Sequence, residues 1–155
     1  MTPEGAKNFS YHKQIIAIKN EQPIEMIVKE TIWGPVIGKN HQDQLLAYRW
    51  VAHDQQAVNF TSTQLELATE VSQAFDIAAR SGIPAQNMMV GDKKGNIGWT
   101  IMGPLPQKFG DIGETPAFWH SGNNGWAGYL SPDEYPKILN PEVNRLWTAN
   151  SRVVG

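Results

Sequence analysis

The sequence predicts an α+β fold in which antiparallel strands pack with one main helix. Two hairpin signatures, each a pair of β-rich runs around a polar connector, supply the strands. One long segment of helical periodicity lies between them. The last third is rich in Gly, Pro and aromatic residues and predicts irregular structure.

The chain has 155 residues and a formal charge of −2, and hydrophobic residues make up 41% of it. That length suits a single domain over residues 1–155 with a real core. The near-neutral balance gives no electrostatic footprint for nucleic acid or an anionic membrane. No apolar run approaches the roughly 20 residues needed to span a bilayer. The opening "TPEGAKNFSYHK" has no apolar stretch of the kind a secretory signal carries. There is no cysteine, so a disulfide, a thiolate metal site and a cysteine nucleophile are excluded.

In chain order, Ile15–Ile18 and Ile24–Ile32 flank "KNEQP" and predict a hairpin with a loop longer than the tight two-residue type. The run "TIWGPVIG", residues 31–38, carries a breaker in its middle. Gly tolerates backbone angles other residues avoid, and Pro fixes φ and donates no hydrogen bond. The pair predicts an edge strand with a bend. "KNHQDQ" reads as a turn, and "LLAYRWVAHD", residues 45–54, as a third strand.

Residues 63–81 predict the main helix. Thr63 and Glu66 form a capping-box pattern, and Leu67, Val71, Ala74, Phe75 and Ala78 make one apolar face. Gly82 and Pro84 stop it. "NMMVGDKKGNIGWTIMG" predicts a second hairpin turning at Asp92–Asn96, with Ile97, Trp99 and Ile101 on one face. From Gly103 to Pro141 the chain reads as a long loop, either ordered by Trp119, Trp126 and Tyr129 or partly mobile. Within it "SPDEYP" predicts one helical turn after Ser131, and "RLWTANSRVV" predicts a final strand.

Little of this carries chemistry by itself. His12, His41, His53 and His120 are scattered without metal-ligand spacing. No G-x-S-x-G nucleophile elbow occurs, and "GDKKGNIG" lies inside a hairpin with no following helix, which argues against a phosphate loop. Asn150, in "LWTANSRV", is either a satisfied structural amide or a donor aimed at a ligand.

The ordered set "T-x-W-G-P-V", "N-x-x-x-x-D-x-x-G-N-I-G", "G-x-x-P" and "N-P … T-A-N" resembles the β chain of the penicillin amidase (penicillin acylase) family, from about Ile15 to Val153. Trp33 stands where family members often have His. The resemblance implies an internal fragment of an N-terminal nucleophile hydrolase, an αββα sandwich that cleaves N-acyl amide bonds in penicillins or N-acyl homoserine lactones. In such enzymes a β-chain N-terminal serine attacks the amide, and its own α-amine, with a pKa of roughly 7.7–8.0, acts as base. A backbone N–H and an asparagine side chain hold the oxyanion. Asn150 occupies that asparagine's place in the family pattern, the oxyanion hole of the parent enzyme.

The family's serine segment is not recognisable in this chain. Ser10 is internal in an unrelated context, and Thr2 is followed by Pro3, which opposes a role as nucleophile. The isolated chain is therefore expected to be inactive. Its implied partners are the remaining α- and β-chain segments and, in the parent, a small N-acyl amide substrate. Uncovered core faces predict self-association or marginal stability. No cofactor is implied in this chain, whereas the resemblance admits calcium in the full-length parent and export to the periplasm or beyond. The alternative is a non-catalytic module in which Trp119, Trp126 and Trp147 line an aromatic groove for carbohydrate or peptide.

Overall fold

The computed structural model describes residues 1–111 and 115–149. The chain divides into two compact units, residues 1–53 with 108–125 and residues 54–107 with the segment from 126 onward.

The first unit is built on a four-stranded antiparallel sheet in the order β1-β2-β3-β4. β1 (Ser10–Ile16) and β2 (Ile24–Thr31) form the predicted hairpin, in register from Ser10 opposite Glu30 to Ile16 opposite Ile24. β1 begins earlier than the apolar run suggests because polar residues also pair across it. His12 meets Glu30 at 2.6 Å, and Lys13 meets Glu25 at 2.5 Å.

"TIWGPVIG" is not one bent strand, as the sequence predicts, but a reversal between two. Thr31 pairs with Gly34, so Ile32 and Trp33 form a two-residue turn, and β3 runs Gly34–Lys39. The Thr31 hydroxyl accepts from the Trp33 amide at 3.1 Å and donates to the Gly34 carbonyl at 2.9 Å. Gly34 has φ +135°, and a Cβ there would overlap the Tyr48 carbonyl oxygen. Only glycine suits both demands. Pro35 lies opposite Glu30, and its carbonyl accepts from the Tyr48 amide at 2.8 Å.

"KNHQDQ" turns as predicted: the Asn40 side-chain oxygen accepts from the amides of Gln42 at 2.9 Å and Gln44 at 3.0 Å. The predicted strand over 45–54 is shorter. β4 covers only Leu45–Ala47, and Val51–His53 form a 3-10 turn. The register shifts between Val36 and Gly38, which marks a bulge in β3.

In the second unit the predicted helix over 63–81 is divided. Thr61–Leu67 form a 3-10 helix, Glu70 is extended, and α1 covers Val71–Arg80. Thr63 therefore caps nothing; its hydroxyl donates to the Phe60 carbonyl at 2.8 Å. Leu67, on the predicted apolar face, is 82% exposed, whereas Val71, Ala74, Phe75 and Ala78 are buried. The helix begins where a distant acceptor serves it, since the Asp92 carboxylate takes the Val71 amide at 3.4 Å. Asn59 ties the other end, accepting from the Gly82 amide at 2.8 Å and donating to the Arg80 carbonyl at 3.2 Å.

The second hairpin forms as predicted from β5 (Gln86–Gly91) and β6 (Ile97–Met102). A further strand, β9 (Lys137–Leu139), pairs on the other edge of β6, giving the order β5-β6-β9. β6 is covered on both faces. Trp99 is 2% exposed on one, and Thr100 is fully buried on the other. Gly98 faces α1, where a Cβ would lie 2.6 Å from Val71 Cγ1 and would also run into the Phe75 ring.

The predicted long loop contains more order than its composition indicates. β7 (Pro106–Phe109) pairs with β8 (Gly125–Tyr129), and β9 follows. The predicted turn after Ser131 forms over Pro132–Glu134 with its own capping box. The predicted final strand does not appear over residues 145–149, and its remaining positions lie outside the described residues.

Candidate functional site

Asn150 lies outside the described residues; the chain is described up to Ala149. The motif residues that precede it in the chain form a hydrogen-bonded scaffold of their own.

The scaffold starts at the β5–β6 turn. The Asp92 carboxylate accepts from the Asn96 side chain at 2.9 Å and from the amides of Lys94 at 2.9 Å and Asn96 at 3.1 Å. These donors, the Asn96 amide group foremost, hold Asp92 below the usual carboxylate range. Beside it Lys94 reaches Glu70 at 2.5 Å, and that bond and charge raise the Lys94 pKa.

From this turn the order passes to Asn140, which follows β9. Asn140 has φ +48°, a conformation that Asn tolerates better than most residues. Its backbone amide donates to the Ile97 carbonyl at 2.9 Å, and its side-chain oxygen accepts from the Ile97 amide at 3.0 Å. Its side-chain nitrogen donates to Asn96 Oδ1 at 2.9 Å. The Asp, Asn and Asn of the motif set thus form one hydrogen-bonded series, and they fix where residues 141–149 depart.

At the far end of that departure stands Asn87 of β5. Its Oδ1 accepts from the Trp99 indole at 3.0 Å, and its Nδ2 lies 3.5 Å from the Ala149 carbonyl. Sequence reasoning assigned Asn87 no role, although it is the first letter of the "N-x-x-x-x-D-x-x-G-N-I-G" pattern. Nearby in the chain, Trp147 is 72% exposed, with the Arg145 guanidinium 5.8 Å from its ring centre.

The other aromatic residues of the groove reading have partners inside their own units. Trp119 meets Trp33 edge to face at 6.2 Å, and Trp126 meets Tyr129 at 6.4 Å. The Tyr129 hydroxyl also donates to Asp54.

Thr2 is buried in a tight turn, its hydroxyl donating to the Gly5 carbonyl at 2.7 Å. That bond turns the hydroxyl toward its own backbone. Ser10 is an exposed strand residue opposite Glu30. The first unit holds a shallow cavity of about 200 Å³ bordered by Thr2, Lys7, Phe9, Thr31, Trp33 and Leu45. The His53 ring packs against Tyr48 at 6.2 Å and Trp50 at 5.7 Å. Among the described residues no group of three His, Asp or Glu side chains is placed to hold a metal ion.

The chain is 28% identical over 147 residues to the penicillin acylase 2 proenzyme of Pseudomonas sp. (strain SE83), covering 94% of this chain and 19% of that protein. It is 29% identical over 150 residues to the acyl-homoserine lactone acylase QuiP of Pseudomonas aeruginosa, covering 88% of this chain and 18% of that protein. Among solved structures it resembles a thermostable penicillin G acylase from Alcaligenes faecalis, with a TM-score of 0.75 and 25% identity over 94% of this chain and 27% of that one. The chain thus spans about a fifth of the length of the curated relatives it matches. The family model for penicillin amidase matches residues 1–155, and the chain belongs to that family.

Proposed function

We propose that the chain is part of the β chain of an N-terminal nucleophile hydrolase that cleaves N-acyl amide bonds, with penicillins or N-acyl homoserine lactones as the substrate class. The observation that carries this reading is the likeness to the penicillin G acylase structure across 94% of the chain. Within the whole protein these residues belong to an αββα sandwich, and its serine hydroxyl and α-amine come from a segment with the family's serine pattern. Asn150 supplies the side-chain donor for the oxyanion, a role that draws its strength from a donor held ready before charge develops.

Exposed apolar side chains support a place inside a larger assembly. Tyr11, Ile15 and Ile27 stand on one face of the β1–β2 ribbon, and Ile16, Ile24 and Met26 on the other, all exposed. A two-stranded ribbon bare on both faces is marginal in water. Other segments of the protein cover it in this reading. Calcium in the whole protein belongs to the same proposal, with carboxylate ligands mostly outside this chain, as does export.

The test is to express the full-length protein and offer phenylacetyl amides, penicillins and N-acyl homoserine lactones of graded acyl length. Release of free acid and amine supports the proposal. A folded, processed protein that releases neither from any of them overturns it.

A further inference from the structure

We propose that the cavity of the first unit, beside the β2–β3 turn, is a binding site for a small carboxylate with an apolar body. Its walls follow from the fold. Phe9 before β1, Trp33 of the turn, Val36 of β3 and Leu45 of β4 border one space of about 200 Å³. Val36 and Ala47 are paired across β3 and β4, so their side chains share a face of the sheet. Leu45, two residues from Ala47 in the same strand, lies on that face too. These side chains form the cavity floor.

Two properties of the lining select the ligand. The first is apolar surface that stays wet, since Phe9 is 39% and Leu45 43% exposed. Covering that carbon favours an aromatic ring or an alkyl chain. The second is charge. Among the described residues Lys7 borders the cavity and no Asp or Glu does. The Lys7 ammonium lies 3.1 Å from Glu4, a pair whose carboxylate side chain is 79% exposed. Such a surface pair is weak, and an ammonium keeps two further N–H groups to offer a ligand. Lys29 adds positive charge nearby, its ammonium 3.9 Å from the centre of the Phe9 ring. The Asn8 amide borders the same space and can donate to a carboxylate. An anion is favoured here and a cation opposed.

The remaining hydroxyls are already committed. Thr2 donates to the Gly5 carbonyl at 2.7 Å and Thr31 to the Gly34 carbonyl at 2.9 Å. A sugar would therefore find few partners. The volume lies below the roughly 300–1,000 Å³ of drug-sized sites, so it admits one ring or a short chain and no long acyl tail. The site is argued without Asn150 or the hydrolase reading, and its test reads binding alone.

The experiment uses the full-length protein and a hexanoic acid that carries a photoreactive diazirine near the end of its chain. After irradiation the label is located by peptide mass spectrometry, with hexanoate or neutral hexanamide added as competitor. The label is expected on peptides that contain Phe9, Trp33 or Leu45. Hexanoate should compete at least about 5-fold better than hexanamide, and Lys7→Gln should lower labelling of those peptides by about 5-fold or more. Ala47→Phe adds a ring to the cavity floor and should abolish the labelling, with folding checked by circular dichroism. Should that variant not fold, Trp33→Ala removes a wall and should lower labelling by about 10-fold. No label on these peptides, equal competition by hexanamide, or label that survives Ala47→Phe in a folded protein overturns the inference.

Discussion

Replacing Gly34 by alanine tests the tight reversal at the centre of the first sheet. Two costs meet at this position. The backbone has φ +135°, which an L side chain rarely adopts, and the added carbon would overlap Tyr48 O and lie 3.3 Å from the Tyr48 carbonyl carbon. The strain is worth about 1–3 kcal/mol. Relieving the overlap moves Tyr48 and weakens its amide's 2.8 Å bond to Pro35, worth about 1 kcal/mol more. The sum, about 2–4 kcal/mol, corresponds to a population shift of about 30- to 700-fold. Hydrogen exchange in the full-length protein reads it locally, as loss of protection at the Tyr48 amide. Gly38→Ala is the internal control, because Gly38 lies in the same strand with nothing within 4 Å of an added Cβ. Gly34→Ala should exchange at least about 30-fold faster at Tyr48, and Gly38→Ala within about threefold of wild type. Equal behaviour of the two variants would refute the reasoning.

Gly98→Ala pushes a methyl into Val71 and Phe75 and should cost about 1–3 kcal/mol, read as lost protection across α1 and β6. Asn59→Ala strands the buried Gly82 amide and should cost about 1–3 kcal/mol, whereas Thr63→Ala, which removes no helix cap, should stay within about 0.5 kcal/mol; thermal melts compare them. Asp92 has a lowered folded pKa, so its contribution is complete above the unfolded value of about 3.9 and is lost as pH falls through the folded value. Asp92→Asn should therefore be less stable than wild type near neutrality and converge with it as pH falls through the lowered folded value, as followed by circular dichroism.

The parts of the fold that were legible in the sequence are those decided by neighbours in the chain. The β1–β2 hairpin, the Asp92–Asn96 turn and the capped turn after Ser131 each rest on residues a few positions apart. The helix was legible in its face but not its start. Periodicity runs back to Leu67, but Glu70 is extended, and the acceptor for the Val71 amide is Asp92, 21 residues on. The Gly34-Pro35 break was visible, yet nothing local says whether a chain bends or reverses. That depends on the approach of Tyr48, the residue after β4. β7, β8 and β9 are short and pair with distant segments, so composition alone reads them as loop. The site was legible only as a pattern: the letters Asn87, Asp92, Asn96 and Asn140 stood in the motif, but the Asn96–Asn140 bond spans 44 residues and the Asn87–Ala149 contact 62.

The most direct measurement is steady-state kinetics of Asn150→Ala in the full-length, processed protein, with folding checked by circular dichroism. Loss of one oxyanion donor predicts a kcat lower by about 10²–10³-fold with the fold intact. A near-normal kcat in a correctly folded and processed Asn150→Ala enzyme would contradict the account and remove Asn150 from the site.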